Sequence, residues 1–306
     1  MSGIKIGVIG GGPWGIALAR AAARAGCSVT LFSRRAEKDG RLIQITDSYE
    51  EIAKNRFLIV AVPSDVVREV AHTLGDHLDG AHVVVHGIRG LGSDRLETIS
   101  DIFREETPVR KLGALGGPVQ ADELHTGTAS ALVVGSYYPE VNTLFTKAFS
   151  GPWLRVYSTP DLRGLEWASA MVGCMAVGVG FAEAAGAGPG LLAALISRAV
   201  HDAGRIAVLA GAEEQTIYGL GGYGDLLASI AQGSRPEVVL GRALAAGKPL
   251  AQAIEEAKLR VEAVALIPRI IAFAKSRGVQ APAFEGLARM LEGERGEQIL
   301  GKFFQA

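Results

Sequence analysis

The sequence predicts an α/β doubly wound parallel sheet followed by an all-helical C-terminal domain. Three observations predict it. Short apolar, β-branched runs alternate with helix-like segments through the first half of the chain, which is the pattern of a parallel sheet built from βαβ units. After about Pro160 the strand-like runs stop and long Ala/Leu/Ile segments follow one another. Glycine supplies 40 of the 306 residues and clusters at the ends of these segments, where backbone turns sharply or approaches a ligand. The chain is about twice the ~150 residues typical of one domain, and the change of pattern divides it into domains at 1–158 and 159–306.

Ile4–Ile9 is a buried strand and Pro13–Arg24 an Ala-rich helix with proline at its start. Ser28–Phe32 is the second strand, and Ser48-Tyr49-Glu50-Glu51 has the form of a capping box opening a helix. Phe57–Val62, closed by Pro63, is a strand, followed by a helix over Ser64–Leu74. His82–His86 and Asp94–Arg104 repeat the alternation. Leu112–Leu115, Ala129–Val134 and Trp153–Tyr157 add strands, with a helix at Glu140–Ala148. The helical half reads as Asp161–Ala185, Leu191–Ala210, Asp225–Gln232, Pro236–Ala246, Leu250–Ala257, Val261–Lys275, Pro282–Met290 and Glu297–Phe304.

Composition excludes several function classes. Lys and Arg number 31 against 32 Asp and Glu, so no basic excess is available to neutralise nucleic-acid phosphates. The longest uncharged stretch, Trp167 to Ala182, is shorter than the ~20 residues of a membrane span and reads as a buried core helix. Cys27 and Cys174 cannot make a disulfide framework, and no Cys/His spacing suits zinc. With a strand-like N-terminus that lacks a cleavage-site pattern, these features fit the reducing cytoplasm.

The strand Ile4–Ile9 runs into Gly10-Gly11-Gly12-Pro13-Trp14-Gly15 and then into a helix, so a G-x-G-x-x-G pattern stands in the Rossmann-type context that gives it meaning. Gly10 is expected to make the tight turn, Gly12 to let a pyrophosphate approach, and Gly15 to pack the helix on the strand, with helix N–H groups facing the anion. At the end of the second strand an acid would bind the ribose hydroxyls of NAD(H) and repel a 2′-phosphate. The chain has Phe32-Ser33-Arg34-Arg35 there, and Ser33 with two guanidiniums favours NADP(H) over NAD(H).

The order of Gly-x-Gly-x-Trp-Gly, Val60-Ala61-Val62-Pro63-Ser64, Arg89-Gly90-Leu91 and Gly117-Pro118 resembles that of the NAD(P)-dependent glycerol-3-phosphate dehydrogenases. So does the helical half. Gly164-Leu165-Glu166 through Ala193-Ala194-Leu195-Ile196-Ser197-Arg198 is similar to the family's G-V-E … A-A-L-I-T-R-G stretch, and Gly219 to Leu226 to its G-L-A-G-L-G-D-L. Ser234-Arg235 begins its S-R-N motif. The resemblance implies hydride transfer between a nicotinamide and dihydroxyacetone phosphate or glycerol 3-phosphate, in a homodimer. It implies that Arg235, Ser234, Gly117 and Arg89 meet a small anionic substrate, with Arg89 and Asp225 serving the reacting centre. It places Pro13, Trp14 and Pro63 along the nucleotide, Ala121 and Glu262 near the nicotinamide and its ribose, and Arg235 within reach of the cofactor.

The departures are specific. Val172 stands where the family has a proton-transferring lysine and Gly173 where it has asparagine. A second lysine is Arg89, whose pKa is too high for proton transfer; Val119 and Pro236 replace two further polar residues. Candidates for a substitute proton donor are His86, three residues before Arg89, and Tyr223, two before Asp225. His86 reads equally as a hydrogen-bonded structural histidine, and Asp225 as a helix cap. Arg235 reads also as a surface arginine, and Arg89 as one arm of a salt bridge. Glu166 and Glu183 bracket the apolar helix, and Met171, Met175 and Val179 repeat at helical spacing as a core stripe.

Overall fold

The computed structural model describes residues 3–34, 43–92, 95–258 and 261–303. It divides into two compact units, residues 1–166 and 167–306; the expected boundary at 158 falls just before the end of the last strand.

The first unit begins β1 (Lys5–Ile9), α1 (Pro13–Arg24), β2 (Ser28–Phe32), β3 (Ile43–Thr46), α2 (Tyr49–Ala53) and β4 (Phe57–Val60). A 3₁₀ turn over Ser64–Val66 leads to α3 (Val67–Gly75), β5 (Val83–His86) and α4 (Ile99–Glu106). It ends with β6 (Lys111–Gly116), α5 (Ala121–Thr126), β7 (Ser130–Gly135), α6 (Pro139–Phe149) and β8 (Leu154–Thr159). The strands form one sheet in the order β3-β2-β1-β4-β5-β6-β7-β8. From β3 to β6 neighbouring strands are parallel, with the register Ile9↔Phe32 and Ile9↔Val60 aligning the C-terminal ends beside the glycine turn.

One feature differs from a wholly parallel sheet. β7 runs antiparallel to β6, pairing Ala114 with Gly135, and β8 then runs parallel to β7. Gly117 turns the chain back here, at a φ of 94° that glycine tolerates. Strands β1, β4 and β5 are buried along almost their whole length, as expected where helices cover both faces. One core cluster joins Ile6 and Val8 to Leu18 and Ala22 of α1 and to Phe145 and Phe149 of α6, whose rings stack at 4.3 Å. The sequence reading did not include β3 or α5. It also began α4 at Asp94, whereas the helix starts at Ile99, where the Thr98 hydroxyl accepts from the Asp101 N–H at 3.2 Å.

Helix α7 (Leu162–Ala184) begins in the first unit and continues into the second. It is long and apolar enough to cross a membrane by length and composition, and 89% of its most apolar window is buried inside the protein. Met171, Met175 and Val179 form a core stripe on it, and Val172 is fully buried beside them. Then follow α8 (Pro189–Leu209), α9 (Glu214–Tyr218), a π turn over Leu220–Gly224, α10 (Asp225–Gln232) and α11 (Pro236–Ala245). The unit closes with α12 (Leu250–Glu256), α13 (Ala263–Lys275), α14 (Pro282–Leu291) and α15 (Gly296–Phe303). Helices α7 and α11 meet backbone to backbone. A Cβ on Gly180 would lie 2.2 Å from the Val238 carbonyl oxygen, and one on Gly241 would lie 2.0 Å from that of Val177. These two contacts fix the start of α11, and with it Arg235 and Glu237, against α7.

Candidate functional site

Two groups of residues carry the predicted chemistry, one in each unit. In the first, the turn after β1 has three distinct glycines. Gly10 has a φ of 130°, and a Cβ there would lie 2.2 Å from the Ala61 carbonyl oxygen, so the residue is confined to glycine by conformation and by space. Gly15 is just as tight, its Cβ position 2.0 Å from the Gly10 carbonyl oxygen, which draws α1 onto the turn. Gly12 has nothing within 4 Å of its Cβ position. It is the N-cap of α1, no side chain caps it, and Gly11, Gly12 and Pro13 are exposed. The helix therefore offers first-turn N–H groups to solvent beside an open face, which is the geometry of an anion site.

The rest of the nucleotide end is held by polar contacts. Trp14 turns away from the open face, its indole N–H donating to the Gly87 carbonyl at 2.9 Å, so the glycine turn is tied to the loop after β5. Ser33 is buried beside Gly11, and Arg34 is exposed next to it, near enough to Tyr49 to act on its phenol. Arg35 lies outside the described residues. Pro63 is exposed after β4, Ala121 opens α5 half-buried, and Gly117 is buried at the end of β6. Ser33 and Arg34 place a hydroxyl and a cation, and no acid, at the end of β2.

Arg89 is half-buried in the loop after β5, three residues from His86. His86 is fully engaged. Its Nε2 lies 2.9 Å from Oε1 of Glu166, and its Nδ1 faces the Ile88 N–H at 3.4 Å. The backbone donor at Nδ1 places the ring proton on Nε2, pointing at the carboxylate. Glu166 also accepts from the Ser100 N–H and hydroxyl, each at 2.7 Å. All three side chains are buried. His86 is thus the hydrogen-bonded structural histidine, and Glu166 is committed to holding α4 and the loop that carries Arg89. Glu183 pairs with Arg242 at 3.0 Å.

The second group lies in the helical unit. Asp225 is fully buried at the first turn of α10, behind the π turn, where a Cβ on Gly222 would strike the Ile217 carbonyl oxygen at 2.1 Å. It does not cap the helix: Gly224 is the N-cap, and the Asp225 side chain makes no cap bond. Its Oδ1 instead meets Arg235 Nη1 at 3.5 Å and the Ser229 hydroxyl at 3.5 Å. Arg235, the buried N-cap residue of α11, donates through Nε to Glu237 at 2.9 Å. Its Nη2 is buried without an acceptor among the described residues. Arg235 is therefore an interior guanidinium with a carboxylate on each of two nitrogens. Ser234 beside it and Tyr223 are exposed.

Sequence reasoning passed over Glu237. The Glu237 carboxylate covers Gly173, lying 3.5 Å from the position of a Cβ there. Burial, with Glu237 and then Glu262 adding negative charge, pushes the Cys174 thiol far above its usual range, which puts both carboxylates on this side of α7. Glu237 had one legible signal, its place two residues after Arg235, but an acid in the first turn of a helix is commonplace.

Comparison with known proteins agrees with this arrangement. Residues 161–300 match the model of the NAD-dependent glycerol-3-phosphate dehydrogenase C-terminus, and residues 5–48 and 38–142 match that of its N-terminus. The chain is 31% identical to the glycerol-3-phosphate dehydrogenase [NAD(P)+] of Fusobacterium nucleatum, over 94% of this chain and 92% of that one. It is 30% identical to the enzyme of the same name from Caulobacter vibrioides, over 95% and 93%. The crystal structure of glycerol-3-phosphate dehydrogenase from Coxiella burnetii superposes with a TM-score of 0.90 at 20% identity, covering 100% of both chains, and so shares the fold. The chain belongs to the NAD-dependent glycerol-3-phosphate dehydrogenase family and has the fold of a nicotinamide-dependent oxidoreductase acting on CH–OH groups.

Proposed function

We propose that this protein is a cytoplasmic, NADP(H)-preferring dehydrogenase that interconverts a small hydroxy compound and its carbonyl, in the manner of the glycerol-3-phosphate dehydrogenases, and that it works as a homodimer. The observation that carries the reading is the turn at Gly10–Gly15, open at Gly12 and set at the uncapped N-terminus of α1. A dinucleotide fits this cradle: its pyrophosphate has room at Gly12 and donors from the helix. Ser33 and Arg34 favour the 2′-phosphate of NADP(H), a guanidinium suiting it better than an acid would. Pro13, Trp14, Pro63, Ala121, Arg235 and Glu262 are proposed to complete the nucleotide contacts.

A bound nicotinamide supplies or accepts the hydride. This chain's part is to bind, orient and manage the proton. Arg89 offers its charge to an anionic group of the substrate, while Gly117 and Ser234 approach it through backbone and hydroxyl. Arg235 donates to substrate through Nη2, the one guanidinium nitrogen that the protein leaves without an acceptor. Asp225 holds Arg235 in that orientation. The buried Val172 favours a second reading, because it supplies no ammonium where the family has its lysine. On that reading the protein reduces a different carbonyl or imine, or binds the nucleotide without turnover.

Purified protein mixed with NADPH and dihydroxyacetone phosphate tests the first reading. Oxidation of NADPH that depends on the triose phosphate supports it. Nucleotide binding without oxidation would move the protein to the second reading, and Val172→Lys would then show whether the rest of the family's machinery is intact.

A further inference from the structure

The balance of charge around Arg235 bears on substrate choice, and this inference rests on the oxidoreductase reading above. One guanidinium is met by two carboxylates, Asp225 on Nη1 and Glu237 on Nε. Both Arg235 and Asp225 are buried, and the Glu237 side chain is only 16% exposed, so neither pairing is diluted by bulk water. A phosphate dianion placed here would meet a cluster that already carries a net negative charge, and it would have to displace a carboxylate to gain Arg235. What the cluster still offers is the hydrogen-bond donor Nη2. A donor inside a net negative cluster suits an uncharged oxygen, a hydroxyl or carbonyl, better than a phosphate.

We propose that Glu237 is a specificity-determining residue: by neutralising Arg235 and covering Gly173, it turns the helical unit's site away from phosphate and toward a small hydroxycarbonyl compound that meets Arg235 through an uncharged oxygen. Two features of local structure produce this. The packing of Gly180 and Gly241 brings the first turn of α11 onto α7, and Gly173, lacking a side chain, leaves room for the carboxylate. The raised Cys174 thiol agrees with negative charge collected here.

The test is calorimetric titration of the full-length protein with inorganic phosphate, for the wild type, Glu237→Gln, and Glu237→Gln with Arg235→Gln. The wild type is expected to bind phosphate weakly or not at all. Glu237→Gln is expected to gain at least about tenfold in phosphate affinity, and Arg235→Gln added to it to abolish the gain. Circular dichroism reports whether each variant folds. The wild type alone suffices if Glu237→Gln does not: phosphate binding that is tight in the wild type and lost in Arg235→Gln overturns the inference. So does a folded Glu237→Gln with no gain. NADPH titration of the same samples reports separately on the oxidoreductase reading, because loss of nucleotide binding would sink that reading while leaving the phosphate result to judge Glu237.

Discussion

Each unit buries an ionic network, and the two are built from similar parts. In the first unit Glu166 receives three donors, two from Ser100 and one from His86. In the second unit Arg235 meets Asp225 and Glu237 and retains one nitrogen without an acceptor. The first network has each of its close donors matched to a carboxylate oxygen, so what it contributes is geometry: it ties β5, α4 and the start of α7 together beneath Arg89. The second has unequal charge and a spare donor in the interior, an arrangement that costs stability unless something else uses it. Burial of charge alone therefore does not mark a functional site; incomplete satisfaction is the more useful sign.

Substitutions that break the first network should have the largest effect. Glu166→Ala strands the Ser100 and His86 donors and should cost about 3–5 kcal/mol in urea unfolding. If it cost under about 1 kcal/mol, the network would not be the clamp described. The glycine turn gives the next contrast. Gly10→Ala forces a side chain onto the Ala61 carbonyl at a left-handed φ and should cost about 3 kcal/mol, whereas Gly12→Ala should stay within about 0.5 kcal/mol and weaken nucleotide binding instead. Equal losses of stability at both glycines would mean that the open face at Gly12 is not open. Smaller again is Glu237→Gln, which keeps an oxygen for Arg235 Nε and removes only charge. It should cost about 1 kcal/mol or less while changing anion affinity.

Much of this arrangement was legible in the sequence, and the gaps have physical causes. The strand–turn–helix around Gly10 was readable to the residue at both ends of α1, because every signal there is local: a β-branched run, proline at the first helical position and glycines at fixed spacing. β3 was missed since Ile43-Gln44-Ile45-Thr46 is too short to stand out, and it becomes a strand by pairing with β2. The reversal at β7 is a tertiary choice that no local pattern records. Arg235 and Asp225 were singled out from their motifs, yet their pairing across ten residues was not, and Glu237 was overlooked as an ordinary helix-start acid. Glu166 and His86, 80 positions apart in sequence, meet only in the folded chain.

The smallest expected effects are in pH dependence, where the two units have opposite signs. In the first unit the Arg56 guanidinium holds the exposed Asp79 carboxyl down at about 2, from an ordinary 3.8. That contribution is present above 3.8 and is lost as pH falls toward 2. In the second unit burial raises the Asp202 carboxyl, although it accepts the Ala283 N–H at 2.9 Å. Stability from this residue is therefore present below 3.8 and declines as pH rises through the raised value. Urea unfolding of Asp202→Asn between about pH 4 and pH 7 should lack that decline, and Asp79→Asn should lack the loss in acid. A decline that persisted in Asp202→Asn would assign it to another group.

The central claim is that the turn at Gly10–Gly15 is a nicotinamide-dinucleotide site in a family dehydrogenase. It is tested most directly by titrating the purified protein with NADPH and with NADH, following nucleotide fluorescence, alongside a Gly12→Asp variant. Saturable binding, tighter for NADPH and lost when a carboxylate stands at position 12, is the predicted result. Binding of neither nucleotide by the folded wild type, or equal binding by Gly12→Asp, would contradict it.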